Sequence, residues 1–102
     1  MLALSITEER LDIREIFKTN LRYYRLKNKM TQEDLAIKAD LSDKYISDLE
    51  RGLFSPSLEK LDALAASLNI DTYLLLKNDS DHKDVPNRLD LITKTRKSKR
   101  KY

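Results

Sequence analysis

Apolar residues recur at helical spacing along the first three quarters of the chain. The first pattern runs from about Thr7 or Asp12 to Asn28. It repeats apolar side chains every three or four positions, at Ile13, Ile16, Phe17, Leu21 and Tyr24. This spacing predicts an amphipathic helix with one buried stripe.

Two shorter patterns share the segment TQEDLAIKADLSDKYISDLERG, which spans residues 31–52. Thr31 and Ser42 are each suited to cap a helix, and Gly52 is suited to end the second one. Inward positions are Leu35, Ala36 and Ala39 in the first helix, and Ile46 and Leu49 in the second. Only Asp40 and Leu41 remain to turn the chain, so the two helices must meet at a sharp angle.

The pattern continues with a helix capped by Ser57 and a last short helix capped by Asp71. The first of these carries apolar residues at Leu58, Leu61, Leu64, Ala65 and Leu68. No segment shows convincing strand alternation, so we predict an all-α fold of five helices within residues 12–77. Residues 1–11 are then an N-terminal extension, and residues 78–102 a polar linker with a basic tail.

The composition limits the chemistry that this chain can perform. Its 102 residues correspond to about one domain. It contains no cysteine, one histidine and one glycine, which excludes thiolate zinc sites and leaves little for a catalytic triad or a glycine-rich phosphate loop. The segment DSDHKD lacks the glycine that an EF-hand loop needs at its sixth position. We therefore expect no enzyme, no metal and no cofactor.

Charge is unevenly distributed along the chain. The tail Lys94–Tyr102 carries six basic residues, whereas residues 1–93 hold fourteen basic and seventeen acidic residues, a net charge of −3. The tail is either a phosphate-binding arm or a solubilising end. The N-terminus lacks a signal-peptide pattern, and no apolar run approaches the roughly 20 residues of a membrane span. A cytoplasmic protein without membrane contact is expected.

The sharp corner between the two short helices predicts a function. Two helices joined by three or four residues form a helix-turn-helix, whose second helix fits the major groove of DNA. Small Ala36 suits the point where the helices touch, while polar residues of the second helix are left to face outward. The pattern therefore predicts double-stranded DNA as the partner.

The segment Ile16–Leu76 resembles the Cro/C1-type helix-turn-helix repressors, also called the XRE family. The resemblance rests on the spacing Q-x-x-LA, nine residues, then IS-x-LE-x-G, and on Gln32, Leu35, Ala36, Leu41, Ser42, Ile46, Ser47, Leu49, Glu50 and Gly52. It implies a compact five-helix, lambda-repressor-like domain. It also implies a transcriptional repressor that binds operator DNA as a symmetric dimer.

The resemblance also implies roles for individual residues. Base-contact candidates are Asp43, Lys44, Ser47 and Asp48. Backbone-contact candidates are Gln32, Tyr45, Arg51 and Ser55. A structural ion pair between Arg25 and Glu50 is expected to orient the second helix of the motif.

The sequence departs from the family pattern in three places. Asp40 and Lys29 stand where glycine is usual, and the recognition helix carries the two acids Asp43 and Asp48. Asp43 is at the first helical position, where the helix dipole favours an acid. A carboxylate there can also accept a hydrogen bond from cytosine. For Asp48, base contact and an ion pair with Lys44 remain equally open. Lys44 is the best candidate for reading guanine.

Four consecutive apolar residues, Tyr73, Leu74, Leu75 and Leu76, close the helical region. They cannot all point inward from one helix, so part of this segment remains exposed. We expect that remainder to form the seam of a homodimer.

Several functions fit these observations. The first is a sequence-specific transcriptional regulator, most simply a repressor. A restriction-modification controller and an antitoxin are alternatives, and in the antitoxin Val85–Tyr102 would fold on a partner protein. An adaptor that uses the fold for protein interaction is an alternative of another class, favoured by the acids of the recognition helix.

Overall fold

The computed structural model describes residues 12–79 and residue 82. This part of the chain forms four α-helices and no strand. The helices are α1 (Ile13–Lys27), α2 (Gln32–Ala39), α3 (Asp43–Glu50) and α4 (Leu58–Ser67), followed by a 3₁₀ turn at Thr72–Leu75. The all-α prediction is confirmed for these residues.

The predicted count of five helices is wrong for the described residues. The last element is a 3₁₀ turn of four residues, and the side chain of Asp71 makes no capping bond to it. Because an α-helix requires several successive i to i+4 bonds, such a short uncapped segment closes more easily with i to i+3 bonds.

Side-chain caps start the helices where the sequence predicted them. The side chains of Thr31, Ser42 and Ser57 each accept a hydrogen bond from a backbone N–H of the first turn. The cap at Thr31 is reciprocal, because Asp34 in turn accepts from the Thr31 backbone N–H at 2.9 Å. Asp12 caps α1, whereas Thr7 lies outside the described residues.

Each α-helix is followed by one residue in the left-handed conformation. These residues are Lys29, Asp40, Gly52 and Asn69, with φ between 57° and 76°. The next backbone N–H then turns back to a carbonyl five residues earlier, as from Met30 to Arg25 at 3.1 Å and from Leu41 to Ala36 at 2.8 Å. This arrangement satisfies the last carbonyls of the helix and redirects the chain sharply.

The core lies where α1, α2, α3 and α4 converge. Its most buried members are Leu21, Leu35, Ile46, Leu49 and Leu64. Two predicted inward residues are exposed instead: Ile13 at 53% and Leu58 at 80%. Each is the first residue of its helix.

A buried amide joins α1 to the chain after the 3₁₀ turn. The side-chain nitrogen of Asn20 donates to the carbonyls of Leu75 and Lys77, both at 2.8 Å. Because both N–H groups are used, Asn20 Oδ1 accepts from Nδ1 of buried His82 at 2.6 Å. The His82 ring stacks on Tyr23 with centroids 3.6 Å apart. This contact extends the fold to residue 82.

Several predicted features fall outside the described residues. They are the extension 1–11, the basic tail Lys94–Tyr102, and most of the linker between residues 78 and 93. Within the described residues, no helix is long and apolar enough to cross a membrane. No group of three or more potential metal-binding side chains occurs there either.

We predict that Lys29→Gly raises the free energy of unfolding by about 0.5–1 kcal/mol. A non-glycine residue in the left-handed conformation costs about 1–2 kcal/mol, which glycine avoids. Part of this gain is offset, because glycine has more conformational entropy to lose on folding. Urea denaturation measures the change. Lys27→Gly is the matched control and should destabilise, because Lys27 is helical. Destabilisation by Lys29→Gly would contradict the assigned turn geometry.

Candidate nucleic-acid interface

The corner between α2 and α3 contains only Asp40, Leu41 and Ser42. Asp40 is left-handed, with φ 58° and ψ 47°, and ends α2. Ser42 then starts α3 by accepting from the backbone N–H of Tyr45 at 3.0 Å. Ala36 is buried beside the turn, so its small side chain permits the close approach of the two helices.

A buried ion pair fixes α3 against α1. Nε of Arg25 lies 2.5 Å from Oε2 of Glu50, and a terminal nitrogen of Arg25 lies 2.9 Å from Oε1. The other terminal nitrogen donates to the Met30 carbonyl at 2.8 Å. Both side chains are at most 4% exposed. The two residues that the sequence predicted to pair are thus brought together in bidentate geometry.

Gln32 joins the same carboxylate from α2. Its side-chain nitrogen donates to Oε1 of Glu50 at 3.1 Å. An amide nitrogen has two N–H groups, so one donor remains after this bond. Gln32 is half-buried at the first position of α2. The bond therefore orients this phosphate-contact candidate and leaves it one donor.

The outward face of α3 carries three of the four base-contact candidates. Asp43 and Lys44 are exposed, and Ser47 is half-buried. Asp43 occupies the first helical position, where the helix dipole favours an acid. The opposite face of α3 is closed by Ile46 and Leu49, which are fully buried. Lys44 and Ser47 are left as the accessible residues in the middle of this face.

Asp48 requires a correction as a base-contact candidate. Its carboxylate lies 3.1 Å from Nζ of Lys44 and 2.5 Å from a terminal nitrogen of Arg51, and its side chain is only 6% exposed. Hydrogen bonds from Arg51 and then from Lys44 hold the pKa of Asp48 below its usual value. The structure thus forms the ion pair that the sequence left open, because a carboxylate enclosed by two cations is not presented to bases.

The backbone-contact candidates surround α3. Arg51 and Ser55 are exposed, and Tyr45 is half-buried. Nζ of Lys60 lies 4.9 Å from the centre of the Tyr45 ring, close enough for a cation–π contact. Sequence reasoning missed Lys60, although the cap at Ser57 places it in the first turn of α4.

The dimer candidates divide between core and surface. Leu75 is fully buried and closes the core, so it is wrong as a dimer residue. Tyr73 and Leu76 are exposed at 64% and 39%, and Leu74 is half-buried. A 3₁₀ turn repeats every three residues, so one residue of the turn faces inward while its neighbours face out.

Leu76 borders a shallow apolar hollow. The hollow measures about 180 Å³ and includes Ile13, Phe17, Leu58 and Leu61 in its lining. Ile13 and Leu58, the two predicted inward residues that are exposed, therefore adjoin Leu76. We call Ile13, Leu58 and Leu76 the apolar patch.

The sequence of this chain matches the helix-turn-helix family HTH_3 over residues 21–75, more than half of its length. The chain belongs to this family. The matched segment contains the ion pair, the corner and helix α3 described above. The resemblance to the Cro/C1-type, or XRE, regulators is therefore confirmed.

Curated relatives of this helix-turn-helix chain are named as regulators. The immunity repressor protein of Bacillus phage phi105 is 33% identical over 86 residues, which cover 72% of this chain and 60% of that protein. The control protein C.BamHI of Bacillus amyloliquefaciens is 39% identical over 66 residues, which cover 64% of this chain and 82% of that protein. The match thus spans less than two thirds of the phage repressor.

Solved structures of transcription regulators have a similar fold. The hypothetical transcription factor NHTF from Neisseria matches with a TM-score of 0.66 and 29% identity, covering 71% of this chain and 83% of its own. The clp gene regulator ClgR from Corynebacterium glutamicum matches with a TM-score of 0.64 and 26% identity, covering 76% of this chain and all of its own.

We predict that Arg25→Lys lowers the free energy of unfolding by about 2–3 kcal/mol. Lysine keeps the charge but loses the planar fork that binds both oxygens of Glu50, and part of a buried charge is left unsatisfied. Urea denaturation measures the loss. Arg14→Lys, at an exposed position of the same helix, is the control and should change stability little. Equal stabilities of the Arg25 variant and the parent would contradict the assigned role of the pair.

Proposed function

We propose that this chain is a sequence-specific transcriptional regulator that inserts α3 into the major groove of operator DNA in the cytoplasm. The observation that carries the proposal is the presentation of α3. Its apolar side is closed by Ile46 and Leu49, and its end is fixed by the Arg25–Glu50 pair. A rigid helix with one polar face outward is what readout in the major groove requires.

Base readout in this proposal depends on two accessible side chains. Lys44, with its side chain 80% exposed, would donate to acceptor atoms of guanine, and the Ser47 hydroxyl would contact a neighbouring base. Asp43 would remain at the helix start, where it can accept from cytosine or only stabilise the dipole.

Contacts to the DNA backbone would come from the edges of the motif. The remaining amide donor of Gln32 lies at the N-terminus of α2, and exposed Arg51 and Ser55 follow α3. The Tyr45 hydroxyl is protonated near neutral pH and can donate to a phosphate. Such phosphate contacts would set the position of α3 and provide most of the salt-dependent affinity.

We further propose a homodimer formed through Tyr73, Leu74 and the apolar patch. Ile13, Leu58 and Leu76 adjoin one another around the hollow, and Tyr73 is a further exposed apolar residue of the 3₁₀ turn. A two-fold axis through this surface would present two recognition helices to one face of DNA. Half-sites about 34 Å apart would follow from that symmetry.

The simplest regulatory role is repression by occupying a promoter, and the similarity to a phage immunity repressor supports it. A restriction-modification controller is the second candidate, since the match to C.BamHI covers 82% of that protein. Neither role is enzymatic. The adaptor alternative loses part of its support, because Asp48 is paired with Lys44 of the same helix and with Arg51 directly after it.

The antitoxin alternative depends on Val85–Tyr102, which lies outside the described residues, as does the basic tail that could bind phosphates. A partner protein bound through this C-terminal segment stays a prediction from the sequence alone. Deleting Lys94–Tyr102 should flatten the salt dependence of DNA binding if the tail contacts phosphates.

Selection of bound duplexes from a random-sequence pool at about physiological salt tests DNA binding most directly. We expect an inverted repeat with half-sites about one helical turn apart. Lys44→Gln should change the preference at one base pair of each half-site, because a charged ammonium suited to guanine is replaced by a neutral amide suited to adenine. Lys38→Gln is the control, because Lys38 is exposed in the last turn of α2. It removes the same charge and should select the same DNA sequence as the parent protein.

Failure of the parent protein to enrich any sequence would contradict operator binding and favour a protein partner. Enrichment of a single half-site without a repeat would support DNA binding but contradict the dimer.

We predict that Leu76→Glu weakens self-association, because it introduces charge into an apolar contact. Sedimentation of parent and variant at several concentrations measures the change, with at least a tenfold increase in the dissociation constant expected from the loss of roughly 1.4 kcal/mol or more. Leu53→Glu, at an exposed apolar residue outside the patch, is the control. Unchanged association of the Leu76 variant would place the seam elsewhere.

A further inference from the structure

Asp48 is an acid buried in the element that reads DNA. Its side chain is 6% exposed, whereas those of its partners Lys44 and Arg51 are 80% and 61% exposed. Nζ of Lys44 and a terminal nitrogen of Arg51 therefore contact a carboxylate with little exposure, while most of each side chain lies at the surface. Charged pairs on an exposed helix face lack such an anchor.

The spacing of these residues produces this arrangement. Lys44 lies four positions before Asp48 and Arg51 three positions after it, so all three share one side of α3. Lys44 uses one of its three N–H donors on Oδ2, and Arg51 directs a terminal nitrogen to Oδ1. Each cation keeps further donors that are free of Asp48.

We propose that Asp48 is a positioning residue that determines sequence specificity. Its carboxylate holds Lys44 and Arg51 while α3 lies in the groove and fixes the directions of their remaining donors. This inference rests on the proposed function, because it assigns a role to Asp48 within the same DNA-binding surface.

The two ion pairs persist on DNA because Asp48 accepts a charge-assisted hydrogen bond from each cation. Release of both cations to phosphates would break the bonds from Arg51 at 2.5 Å and from Lys44 at 3.1 Å. Each cation has further N–H donors, so it can contact DNA without breaking its bond to Asp48. The cations therefore bind DNA with the donors that Asp48 does not use.

Specificity follows from this restraint in two ways. A lysine that is free to rotate can reach any nearby phosphate, whereas a restrained one contacts only the base edge in its direction. The carboxylate also offsets one positive charge of the reading face, which weakens sequence-independent binding. Asp48 thus lowers affinity for random DNA more than affinity for the operator.

Asp48→Asn tests the inference when binding to a selected duplex and to a random-sequence duplex is measured across salt concentrations. We expect affinity for the random duplex to rise and the ratio of specific to random affinity to fall roughly tenfold. The slope of log affinity against log salt for the random duplex should steepen by about one, as for one additional phosphate contact. Asp71→Asn is the control, because Asp71 is exposed outside the motif and its side chain makes no cap bond.

A double variant that lacks both cations distinguishes a positioning role of Asp48 from a merely structural one. In the double variant Lys44→Gln, Arg51→Gln, the further change Asp48→Asn should leave the salt slope for the random duplex unchanged, because no cation remains to be released. A merely structural role would lower affinity for both duplexes by the same factor and keep their ratio, which would overturn the inference. A changed base preference at an unchanged ratio would also overturn it, because Asp48 would then read a base itself.

The outcome for the parent protein distinguishes the two proposals. If the parent discriminates between the duplexes and Asp48→Asn discriminates equally well, positioning by Asp48 is wrong and the proposed function stands. If the parent shows no preference, the proposed function fails and the inference fails with it.

Discussion

The buried pair between Arg25 and Glu50 is the interaction on which the presentation of α3 depends. Its guanidinium belongs to α1 and its carboxylate to the last residue of α3, and Gln32 of α2 donates to the same carboxylate. The two carboxylate oxygens of Glu50 therefore join side chains from three helices. Because both charges are nearly inaccessible to water, loss of either would leave the other uncompensated. The pair thus favours one orientation of α3 over alternatives that a purely apolar contact would tolerate.

This constraint matters because the helices of the motif are short. Helices α2 and α3 contain eight residues each, and isolated helices of that length are not stable in water. Their stability comes from the caps at Thr31 and Ser42 and from burial of Ile46 and Leu49, while left-handed Asp40 ends α2 and turns the chain. The same packing that stabilises α3 leaves its polar face outward. Fold and proposed function therefore depend on the same few contacts.

Local signals predicted much of this structure, and distant contacts account for what they missed. Thr31, Ser42 and Ser57 were recognisable as caps because capping depends on residues within one turn. Leu75, and not Tyr73 or Leu76, enters the core because the last segment is a 3₁₀ turn. A run of four apolar residues does not indicate which kind of helix it will form. Asn20 and His82 are 62 positions apart, and no periodicity connects them. The pairing of Asp48 was foreseeable from spacing, but its burial required the packed structure.

Backbone amide chemical shifts, recorded with and without a bound duplex, test the central claim most directly. If α3 reads DNA, the largest changes will fall on Lys44 and Ser47 of its outward face and on Gln32 at the start of α2. The amides of Leu21 and Leu64 in the core should change little, because the ion pair keeps the helices in place. Large changes at the apolar patch, with α3 unaffected, would contradict the account and identify another surface as the one that binds.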